Sequence, residues 1–250
     1  MSDGYDFEGR RSHAYNKIDW HVPKSLRGRF LDIGCGPGNG LIAAIEHGFT
    51  MAVGVDRDFE EFPGARAMFE QVCRQCNADS SKILRIQANI FDVAFPPASF
   101  DCVMLLDSIE HLSRPADFIG YAADCLRPGG VLLLDTCPLY YSKAGHHLFN
   151  HFPTETHPWV HLRRDFEELK RARVVDDWSL SRFEELNKIT HQEIRDLFEA
   201  SGLRITQERR GKPNEDDLKL LDEHRPDLNL DGVDEALLFE DWILLVGERT

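Results

Sequence analysis

Three residues near the middle of the chain have the types and spacing for proton or metal chemistry. Asp107, Glu110 and His111 lie in Leu106-Asp-Ser-Ile-Glu-His111 at i, i+3 and i+4. A helix beginning there would set two carboxylates and an imidazole on one face. Such a set could hold a divalent ion such as Mg2+; it could equally line a metal-free cleft or tie the helix start. Upstream, Asp32-Ile-Gly34-Cys35-Gly36-Pro-Gly38-Asn-Gly40 is a bare turn, in which missing Cβ atoms let the backbone approach a ligand. A dinucleotide turn, G-x-G-x-x-G, would need a third glycine at Asn39. The spacing is instead G-x-G-x-G led by Asp32. Asp56, followed by Arg57, is an acid able to accept both hydroxyls of a ribose.

Histidines form the second reservoir of chemistry. His146, His147, His151, His157 and His161 crowd into residues 139–188, beside Tyr140, Tyr141, Phe149, Phe152 and Trp159. One or two could be general bases, since imidazole titrates near neutral pH. They could also join a metal site, or be ordinary packing and surface residues. The aromatic rings fit an acceptor pocket or the apolar underside of a cap. His13, Tyr15, Trp20 and His21 suit either a lid over residues 1–27 or a packing helix.

These groups need a scaffold, and the apolar rhythm supplies one. Strand-like runs at 28–33, 51–55, 84–90, 99–106 and 131–134 alternate with helical patterns at 40–47, 64–76 and 115–126. That alternation predicts a parallel sheet covered on both faces. After Pro138 it breaks into the cap. Thr190-His-Gln-Glu193 predicts a capped helix ending at Gly202, and runs at 203–208 and 240–248 predict two closing strands. The chain reads as a single α/β domain over 1–250.

Composition narrows the partners. The net charge is -14, from 29 Lys+Arg against 43 Asp+Glu, which disfavours a polyanionic partner such as nucleic acid. Much of the acid lies between Pro213 and Asp241, where Lys219 and Arg225 face eleven acidic residues; residues 213–239 read as a solvated insertion. No apolar run approaches the ~18 residues of a membrane span. The opening MSDGYDFEGRRSH has no apolar signal core. Six cysteines without a secretory signal point to a reducing, cytoplasmic setting. Cys73-Arg-Gln-Cys76 has metal-ligand spacing without a second pair. Oligomeric state is not readable.

The turn from Asp32 to Gly38 resembles the first motif of the class I S-adenosylmethionine (SAM) methyltransferases, acid-x-G-x-G-x-G. The resemblance continues through Asp56 and through Asn89-Ile90, where that family commonly carries an acid meeting the adenine amine and Asp92 competes for the role. It ends with Leu126-Arg-Pro-Gly-Gly130. It implies a Rossmann-like fold, a seven-stranded mostly parallel sheet with a cap inserted after strand five. It also implies SAM held by Asp32, Gly34, Cys35, Gly36, Gly38, Asp56, Arg57, Asn89, Ile90, Leu106 and Asp107. The Asp107-x-x-Glu110-His111 stretch resembles acid-x-x-Glu-His of two metal-assisted groups, the ubiquinone-pathway O-methyltransferases and the small-RNA 2′-O-methyltransferases, with Asp for Glu. Pro153 to Trp159 is similar to a Thr-His-x-aromatic stretch of the former. His111, His146, His147 and His157 are therefore the candidate catalytic residues, and Asp107, Glu110 and His111 the candidate Mg2+ ligands. The expected reaction is methyl transfer to a small-molecule hydroxyl. RNA 2′-O-methylation and a non-catalytic SAM-binding subunit are the alternatives.

Overall fold

The computed structural model describes residues 6–59 and 65–250. Seven strands, β1 (Arg29–Ile33), β2 (Met51–Asp56), β3 (Ile83–Gln87), β4 (Phe100–Leu106), β5 (Leu126–Thr136), β6 (Leu203–Arg210) and β7 (Ile243–Arg249), form one sheet in the order β3-β2-β1-β4-β5-β7-β6. β7 alone runs antiparallel to its neighbours. The helices are α1 (Phe7–His21), α2 (Asn39–Glu46), α3 (Ala65–Gln75), α4 (Pro115–Cys125), α5 (Phe166–Arg173), α6 (Asp177–Glu184), α7 (His191–Ala200) and α8 (Glu215–His224).

Both sheet faces are covered, which is why β1 reads as a nearly unbroken apolar run. Phe30 packs toward Ile18 of α1 and Leu41 of α2. Leu31 and Ile33 pack toward Phe118 and Ile119 of α4 and Ile194 and Phe198 of α7. Pro115 opens α4 at a position where no backbone donor is lost. Thr190 and Glu193 close a reciprocal capping box on α7. The chain lays β1, β2 and β3 outward on one side, then crosses to place β4 on the other side of β1. That reversal leaves a crevice at the carboxyl ends of β1 and β4, where ligands of open α/β sheets bind.

The expected helix at Asp107 is absent. Asp107 turns left-handed (φ 45°) and a single 3-10 turn, Ile109–His111, follows. The third strand ends at Gln87 rather than 90, and Asn89 instead caps a 3-10 turn over Ile90–Asp92. Residues 1–5 of the expected lid, and Gly64 at the expected start of α3, lie outside the described residues.

The acidic segment is more than a solvated face. Leu221 of α8, Leu228 and Leu238 bury themselves against Trp159 and Leu162 of the cap. The Trp159 indole donates to the Leu238 carbonyl at 3.2 Å. A short antiparallel bridge joins Arg163 to Leu228.

Candidate active site

The glycine turn is held by strand β2. Gly34 N–H and Cys35 N–H both donate to the Val55 carbonyl, at 2.9 and 3.3 Å. Gly34, Gly36 and Gly38 have φ of 69°, 48° and 105°, conformations that L side chains resist. Their surroundings differ. A Cβ on Gly38 would press the Phe69 ring at 2.8 Å, whereas one on Gly36 meets nothing within 4 Å. Gly36 is thus the point where bare backbone faces open space. Asp56 stands beside it: Oδ2 accepts Gly36 N–H at 2.7 Å and Oδ1 accepts Asp58 N–H at 2.9 Å.

The remaining residues expected around the nucleoside divide by where their side chains go. Asp32 is buried beneath the turn, and burial followed by the nearby Asp56 charge raises its carboxyl well above the ordinary range. Cys35 also turns inward, its Sγ 2.6 Å from where a Cβ on Gly54 would sit. Ile90 belongs to the core under β2 and β4. These three offer a ligand backbone at most. Asn89 is exposed, and its side-chain oxygen already accepts Phe91 N–H at 3.0 Å. Arg57 reaches away to Glu185 at 2.9 Å, tying the end of β2 to the cap. Leu106 and Asp107 close β4 beside the turn; a Cβ on Gly34 would run into the Ser108 side chain.

Across the crevice, Asp107 donates its N–H to the Asp135 carbonyl at 2.9 Å, and its carboxylate takes the Cys137 N–H. It is open to water yet crowded by protein, and desolvation with the Asp135 charge raises its carboxyl. Glu110 is buried: Oε2 accepts the Thr136 hydroxyl, and Oε1 has no partner. Burial pushes its carboxyl up to about 8.

His111 lies alongside, Nε2 3.9 Å from Glu110 Oε1, and faces His147 with ring centroids 5.0 Å apart. Burial and then His147 lower the His111 imidazole to about 4, so it is neutral at pH 7.

Asp107, Glu110 and His111 are not gathered as the helix reading required, because the left-handed bend separates Asp107 from the 3-10 turn. Among the described residues, the three donors within 4.8 Å of one another are Glu110, His111 and His147. Two imidazoles and one carboxylate are a poor match to Mg2+, which takes oxygen ligands in octahedral geometry, and no Mg2+ step is derived.

Tautomers separate the histidines. A backbone N–H can only donate, so Leu148 N–H on His146 Nδ1 (2.9 Å) leaves the His146 proton on Nε2 and no free lone pair. Burial lowers this ring to about 3. His157 has both nitrogens engaged: Nε2 accepts from Arg173 at 2.8 Å and Nδ1 meets Thr156 Oγ1 at 2.7 Å. His147 is different. Its Nε2 donates to the Pro138 carbonyl at 3.1 Å, leaving the Nδ1 lone pair available, and its backbone is left-handed (φ 52°). Such strain in a non-glycine residue persists only where surrounding structure enforces it. From His111 the rings continue through His147 to Phe149 (5.9 Å), His146 (5.5 Å from Phe149), His161 (5.8 Å) and Tyr140 (5.0 Å).

Helix α1 closes the crevice from above. Lys17 pairs with Asp135 at the end of β5, and His13 approaches the same carboxylate at 3.6 Å. The other lid candidates point elsewhere: Tyr15 stacks on His47, His21 meets Gln207 at 2.7 Å, and Trp20 is exposed. Lys17, Asp135, Thr136 and Glu185 escaped sequence reading. Asp135 alone carried a signal, as an acid closing the buried Leu132-Leu-Leu134 run.

Comparison with known proteins adds to this geometry. The profile of a family described as methyltransferase domain matches residues 16–208. A tRNA U34 carboxymethyltransferase of Hahella chejuensis is 26% identical over 209 residues, covering 78% of this chain and 61% of that protein. A 27-O-demethylrifamycin SV methyltransferase of Amycolatopsis mediterranei is 32% identical over 125 residues, 50% of this chain and 44% of that one. A ubiquinone biosynthesis O-methyltransferase of Neisseria meningitidis is 27% identical over 150 residues, 57% and 60% of the two chains. This chain therefore spans less than two thirds of the length of these relatives. An S-adenosylmethionine dependent methyltransferase from Mesorhizobium loti superposes with a TM-score of 0.57 at 18% identity, over 97% of this chain and 100% of that one. At that identity the likeness is one of fold.

Proposed function

Since the chain belongs to the methyltransferase domain family, with the class I SAM-dependent fold, we propose that it methylates a hydroxyl of a small organic acceptor. The observation that carries this reading is the open space at Gly36 flanked by the Asp56 carboxylate. Bare glycine backbone beside an acid fits a nucleoside's sugar edge, and SAM, when bound, supplies the sulfonium methyl.

The chain's own residues do the rest. Backbone at Gly34 to Gly38 and the Asp56 carboxylate hold the sugar, with Asn89 or Asp92 at the base. The His111, His147 and Phe149 rings, backed by the buried His146 and His161, orient the acceptor. As the oxygen–methyl bond forms and the sulfur–methyl bond breaks, the hydroxyl proton passes to His147 Nδ1, whose tautomer is fixed by Pro138. His111 holds that ring edge-on. Orientation of two reactants accounts for ~7–11 kcal/mol of barrier lowering in well-aligned systems, and a placed base for ~10²–10⁴-fold. The pattern of unpaired thiols fits a reducing cytoplasm, and no described helix is long and apolar enough to cross a membrane.

The Hahella relative, which covers most of this chain, favours a second reading in which tRNA is the acceptor; the net charge of -14 weighs against it. Titration calorimetry with SAM and its demethylated product tests the first step. Labelled SAM with a metabolite extract and, separately, with tRNA tests the second. Binding of neither nucleoside would overturn the assignment, and label entering tRNA alone would transfer the conclusion to the second reading.

A further inference from the structure

We infer that Glu110, His111 and His147 form a site for a borderline transition cation of the Zn2+ class, with Mg2+ rejected. The donor atoms lie within 4.8 Å of one another, against ~3.4 Å between donors of a tetrahedral ion bound at ~2.0–2.1 Å. Small side-chain rotations close that gap.

Two of the three ligands already have the outer partners that metal ligands use. The His147 Nε2–H donates to the Pro138 carbonyl, which leaves Nδ1 as the lone pair. Thr136 Oγ1 donates to Glu110 Oε2, which leaves Oε1 as the ligand oxygen. That Oε1 is the second, independent observation: it is a carboxylate oxygen on a residue only 1% exposed, with no hydrogen-bond partner. Buried polar atoms are almost always satisfied, and a cation supplies what this one lacks. Two imidazoles with one carboxylate suit Zn2+ and its neighbours, whereas oxygen-only sets suit Mg2+.

Such an ion occupies the His147 lone pair, the same one assigned to the acceptor's proton. Occupancy and proton removal by His147 therefore exclude each other, and Zn2+ is an inhibitor of the reaction proposed above. The regulatory part rests on that reading; the binding site does not.

The test uses the full chain stripped with a chelator and without SAM. Zn2+ is titrated in competition with a chromogenic chelator, and Mg2+ is tried as a competitor. One equivalent of Zn2+ is expected, undisturbed by hundredfold excess Mg2+. His111→Ala and His147→Ala should each weaken binding at least tenfold. Glu110→Gln, which keeps the Thr136 contact, should weaken it too, and His157→Ala should leave it unchanged. Equal Zn2+ binding by His147→Ala, or displacement by Mg2+, overturns the site. SAM titration of the same stripped chain is a separate readout, so loss of one conclusion is distinguishable from loss of the other. With an acceptor in hand, acceleration by Zn2+ would overturn the inhibitory role.

Discussion

Gly36→Ala separates a ligand cradle from a mere turn. The substitution has two consequences of different kind. Holding alanine at φ 48° costs about 1–2 kcal/mol, offset by about 0.4–1 kcal/mol because alanine restricts the unfolded chain. The new methyl meets no protein atom within 4 Å, so no clash adds to this. A net loss of about 0–1.5 kcal/mol lowers the melting temperature by a few degrees at this chain length. The same methyl projects into the space assigned to the nucleoside. Overpacking of that kind costs about 1–3 kcal/mol, or roughly a 5- to 150-fold rise in the Kd for SAM. Gly48→Ala is the matched control. Gly48 also has a positive φ, 88°, and an unobstructed Cβ direction, but it follows α2 at the other end of that helix. Both variants should melt within a few degrees of each other, and calorimetry should find SAM binding impaired only in Gly36→Ala. Wild-type affinity in Gly36→Ala, or equal losses in the two, would refute the cradle.

Three further outcomes follow from the same geometry. Lys17→Met leaves Asp135 at the end of β5 with only the more distant His13, and should lower stability by about 2–4 kcal/mol in urea unfolding; adding Asp135→Asn should recover part of it. His161 is buried and lowered to about 4. Its unfolded form therefore binds more protons between pH 6.5 and 4, and stability falls through that window on acidification by up to about 1.4 kcal/mol per pH unit. His161→Phe should make that limb shallower, with His111 and His146 still contributing to it, while losing about 1 kcal/mol at pH 7 with the Tyr140 carbonyl contact. Glu185→Gln weakens solvent-facing ion pairs to Arg57 (2.9 Å) and Arg182 (3.9 Å), so the unfolding free energy should move by less than about 1 kcal/mol, yet proteolysis near α6 should quicken as the tie between β2 and the cap loosens.

Much of the scaffold was legible because buried parallel strands leave a plain apolar signature and the motif glycines mark a fixed turn. The acceptor side was less so. Asp107, Glu110 and His111 carry helical spacing, but spacing cannot report that Asp107 bends left-handed and that Glu110 then turns inward to Thr136. The choice among histidines was equally hidden, since it depends on which nitrogen meets a backbone N–H or carbonyl. His146 and His147 are neighbours in the chain with opposite free atoms, a proton on one and a lone pair on the other. The insertion at 213–239 reads as solvated because its charges outnumber Leu221, Leu228 and Leu238, the few residues that bury it.

That shared packing has a consequence for engineering acceptor preference. Grafting residues 139–188 from another homologue onto this scaffold would remove Trp159, leaving Leu221, Leu228 and Leu238 against a foreign surface and the Leu238 carbonyl without its indole donor, while Leu228 would lose its Arg163 bridge partner. Chimaeras should therefore fold well only when both stretches travel together, as one inheritable unit built from two distant pieces of the gene.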